Sequence, residues 1–119
     1  MLTRALRQDG GPGDDAAVLE IGGARQVIST DHLRALVADP GVMARITAVH
    51  ALGDIWAMGA QPQAALLSVI LPRQSEALAE RAMAEVLAET RAVLDDAGAT
   101  LVGGHSTQGA EMTLGLTVT

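Results

Sequence analysis

Asp14 and Asp15 are the first residues in this chain whose types and spacing could do chemistry, because they lie between a glycine-rich stretch and an apolar run. Neighbouring residues on extended backbone point to opposite faces, so the two carboxylates are not expected to hold one ion jointly. We expect one of them to coordinate a cation and the other to order the loop. The alternative is that both are solvated turn residues, a setting that aspartate favours.

Asp31 is the second candidate carboxylate. It follows Val27–Thr30, a run rich in β-branched residues that is typical of a strand, and we expect it at the end of that strand. Ligand sites in α/β sheets often lie at such strand ends. The competing interpretation is that Asp31 caps the segment that follows. The adjacent His32 is expected to be a surface imidazole.

Asp54 is the third candidate and lies in the largely apolar segment Ala48–Gly59. A charge in such a helix is costly unless it is paired. His50 lies one turn earlier and offers a local partner. A cation-binding role would instead explain both Asp54 and the neighbouring Gly53, which costs a helix about 1 kcal/mol relative to Ala but lets a backbone or a phosphate approach closely.

The fourth candidate is the segment Gly103–Ser106, which reads Gly-Gly-His-Ser. We predict a strand-to-loop transition whose backbone amides turn toward an anionic oxygen, with the Ser106 hydroxyl as a further donor. A simple turn is the alternative. All 8 basic residues are Arg and no glycine–lysine phosphate loop is present. Phosphate charge would therefore be met mostly by backbone amides and Mg²⁺, which commonly takes one or two carboxylates plus phosphate oxygens.

Composition limits the function classes that remain. The 119 residues suit one domain, and 49% of them are hydrophobic although Trp56 is the only aromatic residue. A core of small aliphatic side chains favours stabilisation by a partner surface, and hence an oligomer. The net charge of −6 argues against nucleic acid as a partner, and the absence of cysteine excludes disulfides and thiol nucleophiles. No apolar run is long enough to span a membrane, so we expect no membrane partner and a cytoplasmic location.

The helices and strands that must position these residues are predicted from the apolar pattern, the capping residues and the glycines of the sequence. Helices are predicted from Asp39–Pro40 to Gly59 and from Ser75 to Gly98, each opened by a capping residue and closed by a glycine. In the second helix, Leu78, Val86 and Leu94 are predicted to face a sheet. Strands are predicted over 16–21, 27–30, 64–71, 99–102 and 112–119. This order predicts an α/β fold with a mixed β-sheet covered by helices.

From Gly13 to Thr119 the chain resembles selenophosphate synthetases (selenide, water dikinases). Their superfamily includes aminoimidazole ribonucleotide synthetase, thiamine-phosphate kinase and a hydrogenase-maturation protein. Gly-Asp-Asp-Ala-Ala-Val at 13–18 and Asp-Ile-Trp-Ala-Met-Gly-Ala-Gln-Pro at 54–62 resemble motifs of the whole superfamily. The His-Ser ending of Gly103–Ser106 resembles the selenophosphate branch. The resemblance implies a PurM N-terminal-like domain that dimerises through its sheet into a barrel.

The same resemblance implies cofactors, partners and roles. Mg²⁺ and ATP would be the cofactors, selenide the second small-molecule substrate of the parent protein, and a homodimer the assembly. By position, Asp15 and Asp54 match the magnesium ligands of the family. The expected nucleotide contacts are Asp14, Asp31, Asp54, Gly104, His105 and Ser106, of which the last three would serve the partner subunit's nucleotide.

The chain also departs from the family. The amino-terminal glycine-rich segment with a Cys or selenocysteine and an essential Lys has no counterpart, and neither has the carboxy-terminal domain. Residues 1–119 are therefore expected to be a single nucleotide-binding domain, without a catalytic residue of its own and inactive alone. His50 and Gly53 stand where the family commonly has Asn and Ser. Two alternatives stay open, a domain of a related small-molecule kinase such as thiamine-phosphate kinase and a non-catalytic dimerisation module.

Overall fold

The computed structural model describes residues 16–119, so the predictions for Asp14 and Asp15 lie outside the described residues. The order of elements agrees with the order predicted from the sequence. The elements are β1 (Ala17–Ile21), β2 (Ala24–Arg34), α1 (Pro40–Ala57), β3 (Ala64–Pro72), α2 (Glu76–Asp96), β4 (Thr100–Gly109) and β5 (Thr113–Val118).

The strands form one mixed sheet in the order β1-β2-β5-β3-β4. Neighbouring strands are antiparallel except for β3 and β4, which are parallel and joined by α2. A parallel connection needs a crossover, and a helix is its usual form. The predicted α/β fold with a mixed sheet is therefore confirmed.

Both helices begin and end where the capping residues and glycines of the sequence predict. The Asp39 side chain accepts a hydrogen bond from the Val42 amide at 3.0 Å, and Pro40 takes the first helical position of α1. Ser75 does the same for α2, accepting from the Leu78 amide at 3.3 Å. Gly59 and Gly98 follow the two helices with φ angles of 70° and 77°. Glycine adopts this left-handed conformation without the steric cost of a Cβ.

The core lies between the two helices and one face of the sheet. Alternate residues of each central strand point into it, as the two-residue repeat of a strand requires. Leu78 was expected on this face and is 52% exposed instead, because the fully buried residues of α2 begin only at Val86. The largest core side chains include Met43, Leu52, Ile55, Leu94, Leu114 and Leu116.

No helix of the described chain covers the opposite face of the sheet, which we call the open face. Thr30 and Thr117 share a hydrogen bond of 2.9 Å across it. The His32 imidazole lies over Gly115, and Leu66 is 48% exposed. His32 is thus the surface imidazole that the sequence predicts. An uncovered face of this kind is an available contact surface for another chain.

Strand β4 contains an irregularity that reverses which of its residues face the helices. Leu101 pairs with Ala65, but Leu66 pairs with Gly103, so Val102 is an extra residue and is 62% exposed. Paired residues share a face, which places Gly103 and His105 on the open face and Gly104 and Ser106 on the helix side. The bulge therefore sets the orientation of the Gly-Gly-His-Ser segment.

Candidate functional site

Two carboxylates meet where β2 packs against α1. Ser29 and Asp31 are two residues apart on β2 and share the face that looks at the helices. His50 and Asp54 are one turn apart on α1 and share the helix face that looks back. We call these four residues the β2–α1 seam.

Two polar contacts cross the seam, and each joins a residue on one element to an acid on the other. The Ser29 hydroxyl donates to Asp54 Oδ2 at 3.0 Å. His50 Nε2 lies 2.9 Å from Asp31 Oδ2. The local alternative that paired His50 with Asp54 along the helix is therefore not what forms, because the imidazole reaches across to the strand.

Burial differs strongly across the seam. Ser29 is only 8% exposed, so the Ser29–Asp54 contact lies at the inner end. The Asp31 side chain is 23% exposed and the His50 side chain 57%, so their contact lies at the outer end. The seam is consequently closed at the Ser29–Asp54 end and open to solvent at the Asp31–His50 end, where a ligand can approach the Asp31 carboxylate.

The prediction that Asp31 ends its strand is wrong. Strand β2 continues to Arg34 through ladder partners on β5, and Asp31 pairs with Leu116 within that ladder. The capping alternative fails for the same reason. Asp31 reaches the helix from the side of the sheet rather than from its end.

The prediction of a loop at Gly103–Ser106 is also wrong, because β4 runs through this segment to Gly109. Parallel pairing with β3 keeps it extended, and the two glycines are required by packing rather than by a turn. A Cβ on Gly104 would overlap the Leu67 carbonyl oxygen and lie 3.0 Å from its carbon. Only glycine lets the two backbones come this close.

The β4 group, which consists of Gly104, His105 and Ser106, is exposed. Gly104 and Ser106 border a groove of about 440 Å³ between β4 and α2. Its floor is apolar, with Met83 and Leu87 among its lining residues, and Arg91 stands at its wall. The groove exists because α2 covers little of the helix side of β4.

Within one chain, the seam and the β4 group are not brought together. Strands β5 and β3 lie between β2 and β4, so the two groups are three strand spacings apart. At about 4.8 Å per spacing the separation is roughly 14 Å. A single copy therefore does not wrap both groups around one small ligand.

The seam contains oxygen ligands suited to a hard cation, but the described chain does not complete a metal site. Within residues 16–119, no group of three or more His, Cys, Asp or Glu side chains is arranged to hold a metal ion. Two carboxylates suit Mg²⁺, because water and phosphate oxygens can then fill its remaining coordination positions. Ser29 is the seam residue that the sequence prediction missed, although its two-residue spacing from Asp31 could have pointed to it.

A family comparison identifies the domain. The model of the family "AIR synthase related protein, N-terminal domain" matches residues 13–119. The chain belongs to this family. The match begins at the glycine before Asp14 and ends with the last residue of the chain, so it includes the seam and the β4 group.

This AIR synthase related domain is similar to curated selenide, water dikinases. It is 39% identical to the one from Nitratidesulfovibrio vulgaris (strain Miyazaki F) and 40% identical to the one from Aeromonas hydrophila. Each similarity extends over 107 residues, which is 89% of this chain and 30% of the relative. The chain thus spans less than a third of the length of these relatives. They confirm the resemblance to the selenophosphate branch.

Solved structures agree on the fold. The structure of AaThiL complexed with AMPPCP and TMP matches with a TM-score of 0.84 and 18% identity, over 98% of this chain and 39% of that chain. The thiamine monophosphate kinase from Aquifex aeolicus matches with a TM-score of 0.79 and 16% identity, over 98% and 40% of the two chains. In the described residues of this AIR synthase related domain, no helix is long and apolar enough to cross a membrane.

Proposed function

We propose that this chain is the Mg-ATP-binding domain of a selenophosphate synthetase. The observation that carries the proposal is the β2–α1 seam, which fixes Asp31 and Asp54 on facing elements and leaves the outer end open. The similarity of about 40% to selenide, water dikinases supports the substrate class. The parent protein would convert ATP, selenide and water into selenophosphate, AMP and phosphate.

Asp54, together with Asp15, would hold Mg²⁺, and Asp31 and Asp14 would face the nucleotide. A divalent cation at this place neutralises phosphate charge during phosphoryl transfer. The residues of this chain bind and orient the nucleotide in this proposal. The seam supports this role because its two described acids are held by neutral or weakly basic donors rather than by arginine. Their charge therefore stays available to a cation.

A homodimer is part of the proposal. The β4 group lies roughly 14 Å from the seam, a distance of three strand spacings. Packing the open faces of two copies together would set His105, the member of the β4 group that lies on the open face, against the sheet of the other copy. The exposed apolar side chains of the open face, such as Leu66, support this arrangement. The proposal also places the homodimer and its selenide-dependent activity in the cytoplasm.

Calorimetry on the full-length protein tests nucleotide binding. ATP is titrated with and without Mg²⁺ into the wild type, Asp54→Asn and Glu89→Gln. Glu89 is the matched control. Its carboxylate lies on α2, outside the seam, and pairs with Arg45 at a distance of 3.0 Å. We expect Mg-dependent binding that Asp54→Asn weakens at least tenfold and Glu89→Gln leaves unchanged. Absence of Mg-dependent binding in the wild type would contradict the proposal.

A product assay separates the two kinase classes. Incubation with ATP and selenide should give AMP and a selenophosphate signal in ³¹P NMR. A thiamine-phosphate kinase would give ADP with thiamine monophosphate instead, and the fold similarity to thiamine monophosphate kinases makes this the second candidate. A dimer that binds no nucleotide in either assay would point to a non-catalytic dimerisation module.

A further inference from the structure

The hydrogen bond and the close His50–Asp31 contact that cross the seam form a reciprocal arrangement. On β2 the donor Ser29 precedes the acid Asp31 by two residues, and on α1 the donor His50 precedes the acid Asp54 by four. Ser29 donates to Asp54 and His50 contacts Asp31, so each element supplies one acid and one polar partner. The two acids lie at opposite corners of the four-residue set, which keeps their like charges apart.

The two contacts differ in what holds them. The Ser29–Asp54 bond is partly buried, with Ser29 8% exposed, so packing of the strand against the helix holds it in place. The Asp31 carboxylate lies at the open end, where its side chain could rotate toward solvent, and among residues 16–119 its side-chain partner is His50. Fixing a carboxylate before its ligand arrives reduces the ordering cost that binding must overcome.

We propose that His50 is a positioning residue for Asp31, and that the close contact of its imidazole presets this carboxylate for Mg-ATP. This proposal rests on the proposed function and deepens it. In both contacts the carboxylate oxygen involved is Oδ2, so neither contact uses the other oxygen of Asp31 or Asp54. The arrangement orders the acids without using up the atoms that a nucleotide or its cation would need.

The test uses the full-length protein and three substitutions measured by calorimetry with Mg-ATP. His50→Ala should raise Kd about five- to tenfold, the loss expected when the polar partner of a charged group is removed. His50→Gln should stay within about twofold, because its amide can still donate to Asp31. Val49→Ala is the matched control on the same turn, with a side chain that is 51% exposed and outside the seam.

A double-mutant cycle distinguishes positioning from general damage. In an Asp31→Asn background, adding His50→Ala should cause no further loss of Mg-ATP affinity if His50 acts through Asp31. Additive losses, or an unchanged Kd for His50→Ala, would overturn the proposal.

The same cycle is measured on the urea midpoint without nucleotide. Non-additive midpoint shifts show that the two side chains are coupled, and additive shifts overturn the positioning role. A wild type that binds no Mg-ATP would refute the proposed function, while the midpoint cycle would still decide whether His50 holds Asp31.

Discussion

Substitution of Gly104 by Ala is expected to destabilise the sheet severely, because the added methyl group meets backbone on the neighbouring strand. The new carbon would lie 3.0 Å from the Leu67 carbonyl carbon and 3.1 Å from its amide nitrogen, and it would overlap the carbonyl oxygen. Non-bonded carbons pack at about 3.5–4.0 Å, so β4 must retreat by roughly half an ångström or more. Backbone cannot rotate away as a side chain can.

The cost follows from two contributions. Overpacking of this kind costs about 1–3 kcal/mol, and the retreat weakens a ladder hydrogen bond worth about 1 kcal/mol. We therefore expect Gly104→Ala to lower the free energy of unfolding by about 2–4 kcal/mol, a large part of the total of a domain this size.

Gly115→Ala is the matched control for this substitution. Its Cβ would overlap the His32 ring at Cδ2 and lie 2.5 Å from Nε2 and 2.7 Å from Cγ, but that side chain is exposed and can move aside where backbone cannot. The free energy of unfolding of Gly115→Ala should therefore stay within about 1 kcal/mol of the wild-type value.

Urea unfolding measures both variants, followed by far-ultraviolet circular dichroism and by fluorescence of Trp56, the only aromatic residue of the chain. Agreement of the two signals would support a two-state transition. The reasoning would be refuted if Gly104→Ala unfolded within about 0.5 kcal/mol of the wild type. The reasoning would also be refuted if Gly115→Ala lowered the free energy of unfolding as much as Gly104→Ala does. A clash with backbone would then cost no more than a clash with a side chain.

Three further changes test other contacts by the same unfolding assay. Thr90→Val should raise the free energy of unfolding by about 1 kcal/mol, because the Thr90 hydroxyl is buried and has no hydrogen-bond partner among the described residues. Asp39→Ala should lower it by about 1 kcal/mol through loss of the α1 cap, with helicity near the amino end followed by hydrogen exchange. Arg34→Ala should leave the urea midpoint unchanged, since its ion pair with Glu111 is exposed. The hydrogen bond to Glu111 and then its charge raise the pKa of Arg34. Because the pKa of Arg34 is raised, the stability that this pair contributes is lost only far above neutral pH. The pair should therefore add no pH dependence to the free energy of unfolding between about pH 6 and about pH 9.

Much of the fold could be predicted because its signals are local. Asp39 with Pro40, and Ser75, mark the helix starts in the sequence itself, and the structure places both caps there. The aliphatic run 64–71 is likewise a strand. Local patterns of this kind depend on residues within a few positions of each other, so one sequence contains all that is needed.

The errors concern pairing between distant segments. Asp31 and Gly103 were placed at strand ends because glycines and charges often mark turns, whereas ladder bonds to β5 and β3 extend both strands. The His50–Asp31 contact joins two elements whose relative register no local pattern specifies. Alternation along β2 does place Ser29 and Asp31 on one side. Which helix residues they would meet depended on the packing angle of α1.

The bulge at Val102 decides which side chains of β4 face the helices and which lie on the open face. Odd-numbered positions face the helices before it and even-numbered positions after it. If β4 kept its length but paired with β3 without the bulge, His105 would turn to the helix side, and Gly104 and Ser106 would turn to the open face. An amino-acid substitution alters one side chain, whereas this change of pairing would turn over every side chain from Gly103 to Gly109. Deletion of Val102 itself would leave those faces as they are, because Leu101 and Gly103 pair with successive residues of β3.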